Sequence, residues 1–259
     1  MPKISAVIIT FNEEDYIGRC LESLADVADE IIVVDSFSTD RTREICEKHN
    51  VRFFLHAFEG YVEQKNHALG LASHSFILSL DADEALGNDL KKSILEVKDN
   101  PGHDGYTFNR LNNYCGKWIH HSRWYPDRQL RLFFREKGSW KGYNPHDKFR
   151  MNEGTRVKHL EGDLLHWNYA SCEEHRQKME RFSSISAESY FRAGRKAWPF
   201  SGTIHMIWSF FRSYVLYLGF LDGYTCLVAC SITARGSYLK YNKLRKLHKK
   251  TRVANGQGI

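Results

Sequence analysis

The chain has 259 residues, 42% of them hydrophobic, and a formal net charge of +6. That length buries one substantial core, or one core with a smaller appended lobe, and five Pro with 18 Gly leave no room for a long unstructured linker. The six Cys (20, 46, 115, 172, 226 and 230) form no CxxC pair, which excludes a disulfide framework or a metal finger and predicts reduced, packed thiols.

Met1-Pro2-Lys3 leads straight into an apolar run without a signal-peptide pattern, so a cytoplasmic setting is expected. Lys3–Thr10 is β-branched and of strand length. Asn12 can cap a following helix in which Ile17, Cys20, Leu21 and Leu24 recur at helical spacing. Glu30–Asp35 reads as a second buried strand, and Ser38-Thr39-Asp40 as the cap of a helix running to about His49. Val51–Leu55 is a third strand, residues 61–72 a third helix, and Phe76–Leu80 a fourth strand. Strands that are apolar throughout and separated by helices imply an α/β fold with a mainly parallel sheet covered on both faces. Neither GxGxxG nor GxxxxGK[ST] is present, which weighs against hydride transfer and ATP hydrolysis.

Polar residues collect at the carboxyl ends of these strands, where open α/β sheets bind their ligands. They are Thr10-Phe11-Asn12-Glu13-Glu14, Asp35 to Asp40, and Asp81-Ala82-Asp83-Glu84, with Gln64 and Lys65 opening a helix on the same rim. Capping accounts for Asn12, Ser38 or Asp40 taken singly. Three acidic clusters beside a lysine fit a cation-bridged pyrophosphate better. Two carboxylates at a strand end suit Mg²⁺ or Mn²⁺, hard cations that keep positions open for phosphate oxygens.

These segments, with Gln64-Lys65-Asn66, resemble those of family 2 glycosyltransferases, which have the GT-A fold. Tyr125-Pro126-Asp127, Arg131-Leu132-Phe133, Asn144-Pro145-His146-Asp147 and Leu165-His166-Trp167 extend the resemblance to about residue 170. Within that family the chain is most similar to bacterial enzymes that add glucose to the inner core of lipopolysaccharide. Those enzymes commonly carry His-Glu where this chain has His146-Asp147, a carboxylate one methylene longer. The resemblance implies a catalytic region over 1–170, with a nucleotide-binding half (1–100) and an acceptor half (101–170), and a helical extension over 171–259. It places Glu13 or Glu14 near a ribose, Asp35 on the imide nitrogen of uracil, and Lys65 near the diphosphate. Thr10 and Asn12 belong to the same donor site. Asp81 approaches the ribose or the metal, Asp83 binds the metal, and Asp147 is the base that deprotonates the acceptor hydroxyl.

One positioned base with direct attack inverts the anomeric centre, and no second carboxylate stands out as a nucleophile. His166 ends the apolar run Asp163–Trp167 and is a candidate third metal ligand, since imidazole suits Mn²⁺. His146 either contacts the acceptor or orients Asp147. Arg128 and Arg131 are acceptor or phosphate candidates, with a structural ion pair the alternative for Arg131. Residues 104–150, rich in Tyr, Trp, Asn and Arg, read as sugar-stacking surface or as half-buried loops over the sheet.

The aromatic stretch 197–234 is broken by His205, Arg212 and Asp222, so an interfacial helical pair fits it better than a span. Arg192, Arg195 and Lys196 precede it, and a basic run from Lys240 to Arg252 follows, suiting an anionic membrane surface. A packed helical subdomain with a homodimer contact is the alternative. The expected partners are a UDP-sugar, a lipid-linked glycan and that membrane, with no nucleic acid. A nucleotidyltransferase would show a Gly-rich basic loop after the first strand, where this chain is acidic. A non-catalytic glycan- or lipid-binding protein on the same fold would not need the Asp81, Asp83 and Asp147 set.

Overall fold

A computed structural model describes residues 1–143 and 146–254, without the side chains of residues 143, 146 and 252–254. The chain divides into two compact units, Met1–Leu111 with Asp127–Trp167, and Asn112–Pro126 with Asn168–Ile259.

In the first unit β1 (Ile4–Thr10), α1 (Ile17–Leu24), β2 (Glu30–Asp35), α2 (Thr42–Glu47), β3 (Arg52–Leu55), α3 (Tyr61–Leu71) and β4 (Phe76–Asp81) follow one another as the periodicity predicts. β1 lies between β2 and β4, and all three pairings of these first four strands are parallel. The alternation along β1 sends Ile4, Ala6 and Ile8 to one face, packed with Ile17, Leu21 and Leu24. Val7 goes to the other face, with Ile32, Val34, Ala68 and Leu69. A sheet buried on both faces explains why these strands carry continuous apolar runs.

Beyond β4 the sheet continues with antiparallel pairings, so the parallel core is extended into a mixed sheet. β5 (Glu84–Leu86) is followed by α4 (Asn88–Asp99), then β6 (Gly105–Tyr114), β7 (Lys117–Ile119), β8 (Asp127–Phe134), β9 (Gly138–Tyr143), β10 (His146–Met151) and β11 (Val157–Tyr169). Among the described residues the sheet runs β3-β2-β1-β4-β8-β6-β11-β5, with β7 on β6 and a separate β9–β10 hairpin. Much of the aromatic segment 104–150 is therefore strand, with Tyr106, Phe108 and Phe133 fully buried. β11 crosses the start of α4 at Gly162, where φ is +93° and a Cβ would stand 2.2 Å from the Leu90 nitrogen. Only glycine fits that approach.

The second unit is mostly helical: α5 (Cys172–Arg192), α6 (Ser201–Phe210) continuing through a π-helical segment (Phe211–Leu216), and α7 (Gly223–Ala254). Ser171 caps α5 through the Glu174 amide. Inside the unit, His175 is 1% exposed, with Nδ1 3.1 Å from the Tyr114 hydroxyl and its ring 4.3 Å from that of Tyr169. Burial, with help from Lys178 and Arg176, pushes the imidazole down to about 4. A folded-state value below the unfolded one means that the unfolded chain binds the proton first. Stability from this group is therefore complete above about pH 6.5 and lost as the pH falls towards 4, at about 1.4 kcal/mol for each pH unit within that window. Urea unfolding between pH 7.5 and 5 is expected to show a smaller acid destabilisation in His175→Gln than in the parent.

Candidate active site

Register brings the acidic strand ends together. Thr10 pairs with Asp35 across β1–β2, and Ile9 with Asp81 across β1–β4, so the two carboxylates reach the same edge of the sheet from opposite faces. The loops beyond them are laced. Asn12 does not cap α1, which starts at Ile17 with no side-chain cap. It turns into the left-handed region (φ 55°), donates its amide to Ser38 Oγ at 2.8 Å and accepts from the Thr39 amide at 2.8 Å. Glu13 donates its amide to Thr42 Oγ1, and Glu14 pairs with Arg41 at 3.0 Å. Asp40 accepts from the Glu14 and Thr42 amides. Burial would raise its carboxyl, but these bonds hold it below the ordinary range.

Asp35 is 1% exposed and accepts from the amide and hydroxyl of Ser38, a tight turn that fixes its carboxylate. Thr10 Oγ1 is buried beside it with no hydrogen-bond partner among the described residues. Phe11 and Phe37 on the same two loops remain more than half exposed, flat apolar faces to which the sequence alone assigned no role.

A chain of alternating charges runs along this rim. The β9–β10 hairpin carries Asp147, whose Oδ2 accepts from Lys65 Nζ at 2.9 Å. The same ammonium meets Asp81 Oδ1 at 2.9 Å and lies 4.5 Å from the centre of the Trp140 ring. Asp81 Oδ2 accepts from Arg131 Nη2 at 2.7 Å, and Arg131 also reaches Glu84 Oε1 at 2.8 Å. Arg110 then joins Glu84 to Asp127. Asn66 holds the hairpin against α3 through reciprocal bonds with the Trp140 backbone, 3.0 and 3.1 Å.

The electrostatics follow from this alternation. Burial alone would raise the Asp81 carboxyl, but Arg131 and Lys65 outweigh it and hold the group far below the carboxylate range. Burial pulls the Arg131 guanidinium down, whereas Asp81 and Glu84 more than restore it. Asp81 and Arg131 are therefore ionised at any working pH. Removing one member of such a buried pair typically costs about 3–5 kcal/mol, because its partner is left charged and unpaired.

Asp83 faces an imidazole on the same edge. Its Oδ2 is 3.2 Å from His166 Nε2, and its carbonyl accepts from the Trp167 amide at 3.0 Å. The pairing of His166 with Glu84 in the β11–β5 register positions the imidazole there. Among the described residues no group of three or more His, Cys, Asp or Glu side chains is arranged to hold a metal ion. The Asp83–His166 pair nevertheless offers one hard oxygen and one imidazole, a donor set that suits Mn²⁺ or Mg²⁺ when phosphate oxygens complete the shell.

Not every sequence candidate lies in this arrangement. Both Asp81 oxygens are held by cations, whereas Asp83 faces His166. Arg131 is 3% exposed and is an ion-pair residue rather than an acceptor contact. Arg128 is exposed on β8. The His146 side chain and Asn144-Pro145 lie outside the described residues. Glu84 and Asp127 have no individual role in the sequence reading, and Arg110 and Trp140 only the collective one of a sugar-contacting or covering segment. Only the acid next to Asp83 hinted at Glu84, because the pairings join residues 26 and 47 positions apart.

Comparison with known proteins agrees with the class that this fold and rim define. Residues 5–163 match the family described as Glycosyl transferase family 2. The chain is 30% identical to an uncharacterised glycosyltransferase of Rickettsia felis, over 95% of this chain and 90% of that one. The chain belongs to glycosyltransferase family 2. It is also 28% identical to the lipopolysaccharide core biosynthesis glycosyltransferase LpsC of Rhizobium meliloti, over 93% of this chain and 94% of that protein. Among solved structures, S. aureus TarS 1–349 in complex with UDP-GlcNAc aligns with 96% of this chain and 92% of its own, at 16% identity and a TM-score of 0.48.

Proposed function

We propose that this family 2 glycosyltransferase moves a hexose from a UDP-sugar to a lipid-linked glycan, with inversion at the anomeric carbon. The observation that carries the reading is Lys65, which ties the candidate base Asp147 to the donor-side carboxylate Asp81 while Asp83 and His166 stand on the same edge. Asp35 and Thr10 would read the uracil, with Asn12, Glu13 and Glu14 shaping the ribose pocket. The exposed rings of Phe11 and Phe37 provide stacking faces for the base.

Asp83 and His166 would hold Mg²⁺ or Mn²⁺. When bound, such a cation neutralises charge on the leaving diphosphate. Lys65 supplies a second positive charge to the same group. A diphosphate competing for its ammonium loosens the hold on Asp147, whose carboxylate is then available to take the acceptor's hydroxyl proton. One base acting on the face opposite the leaving group gives inversion.

Glucose as the transferred sugar and the lipopolysaccharide core as acceptor rest on family likeness, including the name of the Rhizobium relative. On this reading residues 1–170 carry the chemistry, and 171–259 keep the enzyme on the inner face of the cytoplasmic membrane. The six free thiols accord with a reducing compartment. The test is release of nucleoside diphosphate from a panel of UDP- and GDP-sugars, with Mg²⁺ or Mn²⁺ and detergent-extracted lipid-linked glycans. Turnover of a UDP-hexose is expected; turnover confined to GDP-sugars would overturn the donor assignment.

A further inference from the structure

The second unit presents an apolar face that no described part of the chain covers. On α6 and its π-helical continuation, Ile204, Ile207, Trp208, Phe211 and Val215 are all exposed, with Ile204 and Ile207 above 60%. Their spacing is that of one continuous helical stripe. The opposite face is the one packed on α7. Gly202 lies against Tyr238, where a Cβ would be 3.1 Å from the ring, and His205 stacks on Tyr241 at 4.2 Å. Hydrophobicity is thus turned outward, the reverse of a helix on the surface of a water-soluble fold.

Both ends of the stripe extend it. Trp198 (81% exposed) and Phe200 precede it, and Leu216, Leu218 and Leu221 follow in the connection to α7. The acid in that connection is turned inward: the Asp222 carboxylate accepts from the His121 amide at 2.7 Å and pairs with its Nδ1 at 2.9 Å. Basic groups sit beside the Trp198 end. Arg245 donates to the Pro199 carbonyl at 2.9 Å and His248 to that of Arg195 at 2.8 Å, which brings the cationic end of α7 alongside Arg192, Arg195 and Lys196. An apolar stripe with a cationic flank complements an anionic lipid surface.

The same geometry argues against a span. No described helix is long and apolar enough to cross a membrane, and the pair that reaches the length together, Ser201–Leu216 with Gly219–Thr251, is bent by 74°. Sixteen helical residues cover about 24 Å, short of a hydrocarbon core of about 30 Å. The apolar start of α7 is already occupied, because Cys226, Ala229 and Cys230 are buried with Tyr114, Ile119 and Tyr169.

We infer that the Ile204–Val215 stripe seats in one leaflet of an anionic bilayer, with Arg192, Arg195, Lys196 and the end of α7 at the headgroups, so that the enzyme is held at the membrane without crossing it. This rests on the reading that the acceptor is lipid-linked, and it specifies how the chain reaches that acceptor. The test uses the full chain with vesicles of phosphatidylcholine containing one-third phosphatidylglycerol. The parent should co-sediment at low salt, bind less as salt rises, and be released by alkaline carbonate. Ile207→Glu with Phe211→Glu should weaken vesicle binding at least tenfold, and Ile207→Ala with Phe211→Ala should weaken it less, both with unchanged circular dichroism. A parent that stays in the supernatant overturns the seat, as does one that resists carbonate, which would be a span. A dimer in light scattering that the Glu pair dissociates would assign the stripe to a second copy. UDP binding measured on the same preparations keeps the two readings apart: its loss in the parent counts against the donor assignment, not against the membrane seat.

Discussion

Asp147→Asn is expected to leave UDP affinity nearly unchanged and to lower turnover by roughly 10²–10⁴-fold. The amide keeps the shape of the carboxylate but cannot take a proton from the acceptor hydroxyl. The fold should tolerate it, because Lys65 retains Asp81 at 2.9 Å and the Trp140 face at 4.5 Å. Two measurements separate a base from a donor contact: UDP affinity by calorimetry, and turnover with the UDP-hexose found to be the donor. Equal losses in both would reassign Asp147 to donor binding. The anomeric configuration of the product, read by NMR, is expected to be inverted; retention would end the single-base mechanism.

Asp83→Ala is expected to reduce transfer by on the order of 10²-fold or more, the usual scale when a contact that stabilises developing charge is removed. Asp81 is held between two cations whereas Asp83 faces His166, so truncation of Asp83 is expected to disturb the fold less than truncation of Asp81. The expected sign is a much higher Mn²⁺ requirement with an unchanged circular dichroism spectrum. Activity above about a tenth of the parent value, at the same metal requirement, would count against Asp83 as the metal-side carboxylate.

The parallel half of the sheet was legible because β1, β2 and β4 are buried on both faces and therefore read as unbroken apolar runs. β6 was not, since Arg110 interrupts its apolar pattern to serve the ion-pair chain at the site, and β8 was legible only around Arg131, which alternates with Leu130 and Leu132. The division of the chain was only partly legible. The helical segment stands out by composition, but residues 112–126 join it through contacts such as His121 with Asp222, 101 positions apart. At the site, the residue types were visible and their partnerships were not. Asp81 and Asp83 look equivalent in Asp81-Ala82-Asp83, yet one is locked between two cations and the other faces an imidazole. Asn12 shows the same limit: its type suits a cap, and the β1–α1 loop used it instead as a left-handed stitch to the next loop.

The most direct measurement is the affinity of the parent for UDP, ATP and CTP with and without Mn²⁺, repeated on Asp83→Ala. A donor site built from Asp35, Lys65 and Asp83 predicts that UDP binds tightest, that Mn²⁺ strengthens it, and that the strengthening disappears in Asp83→Ala. Equal binding of all three nucleotides, or UDP binding that neither Mn²⁺ nor Asp83→Ala alters, would contradict a metal-assisted UDP-sugar transferase.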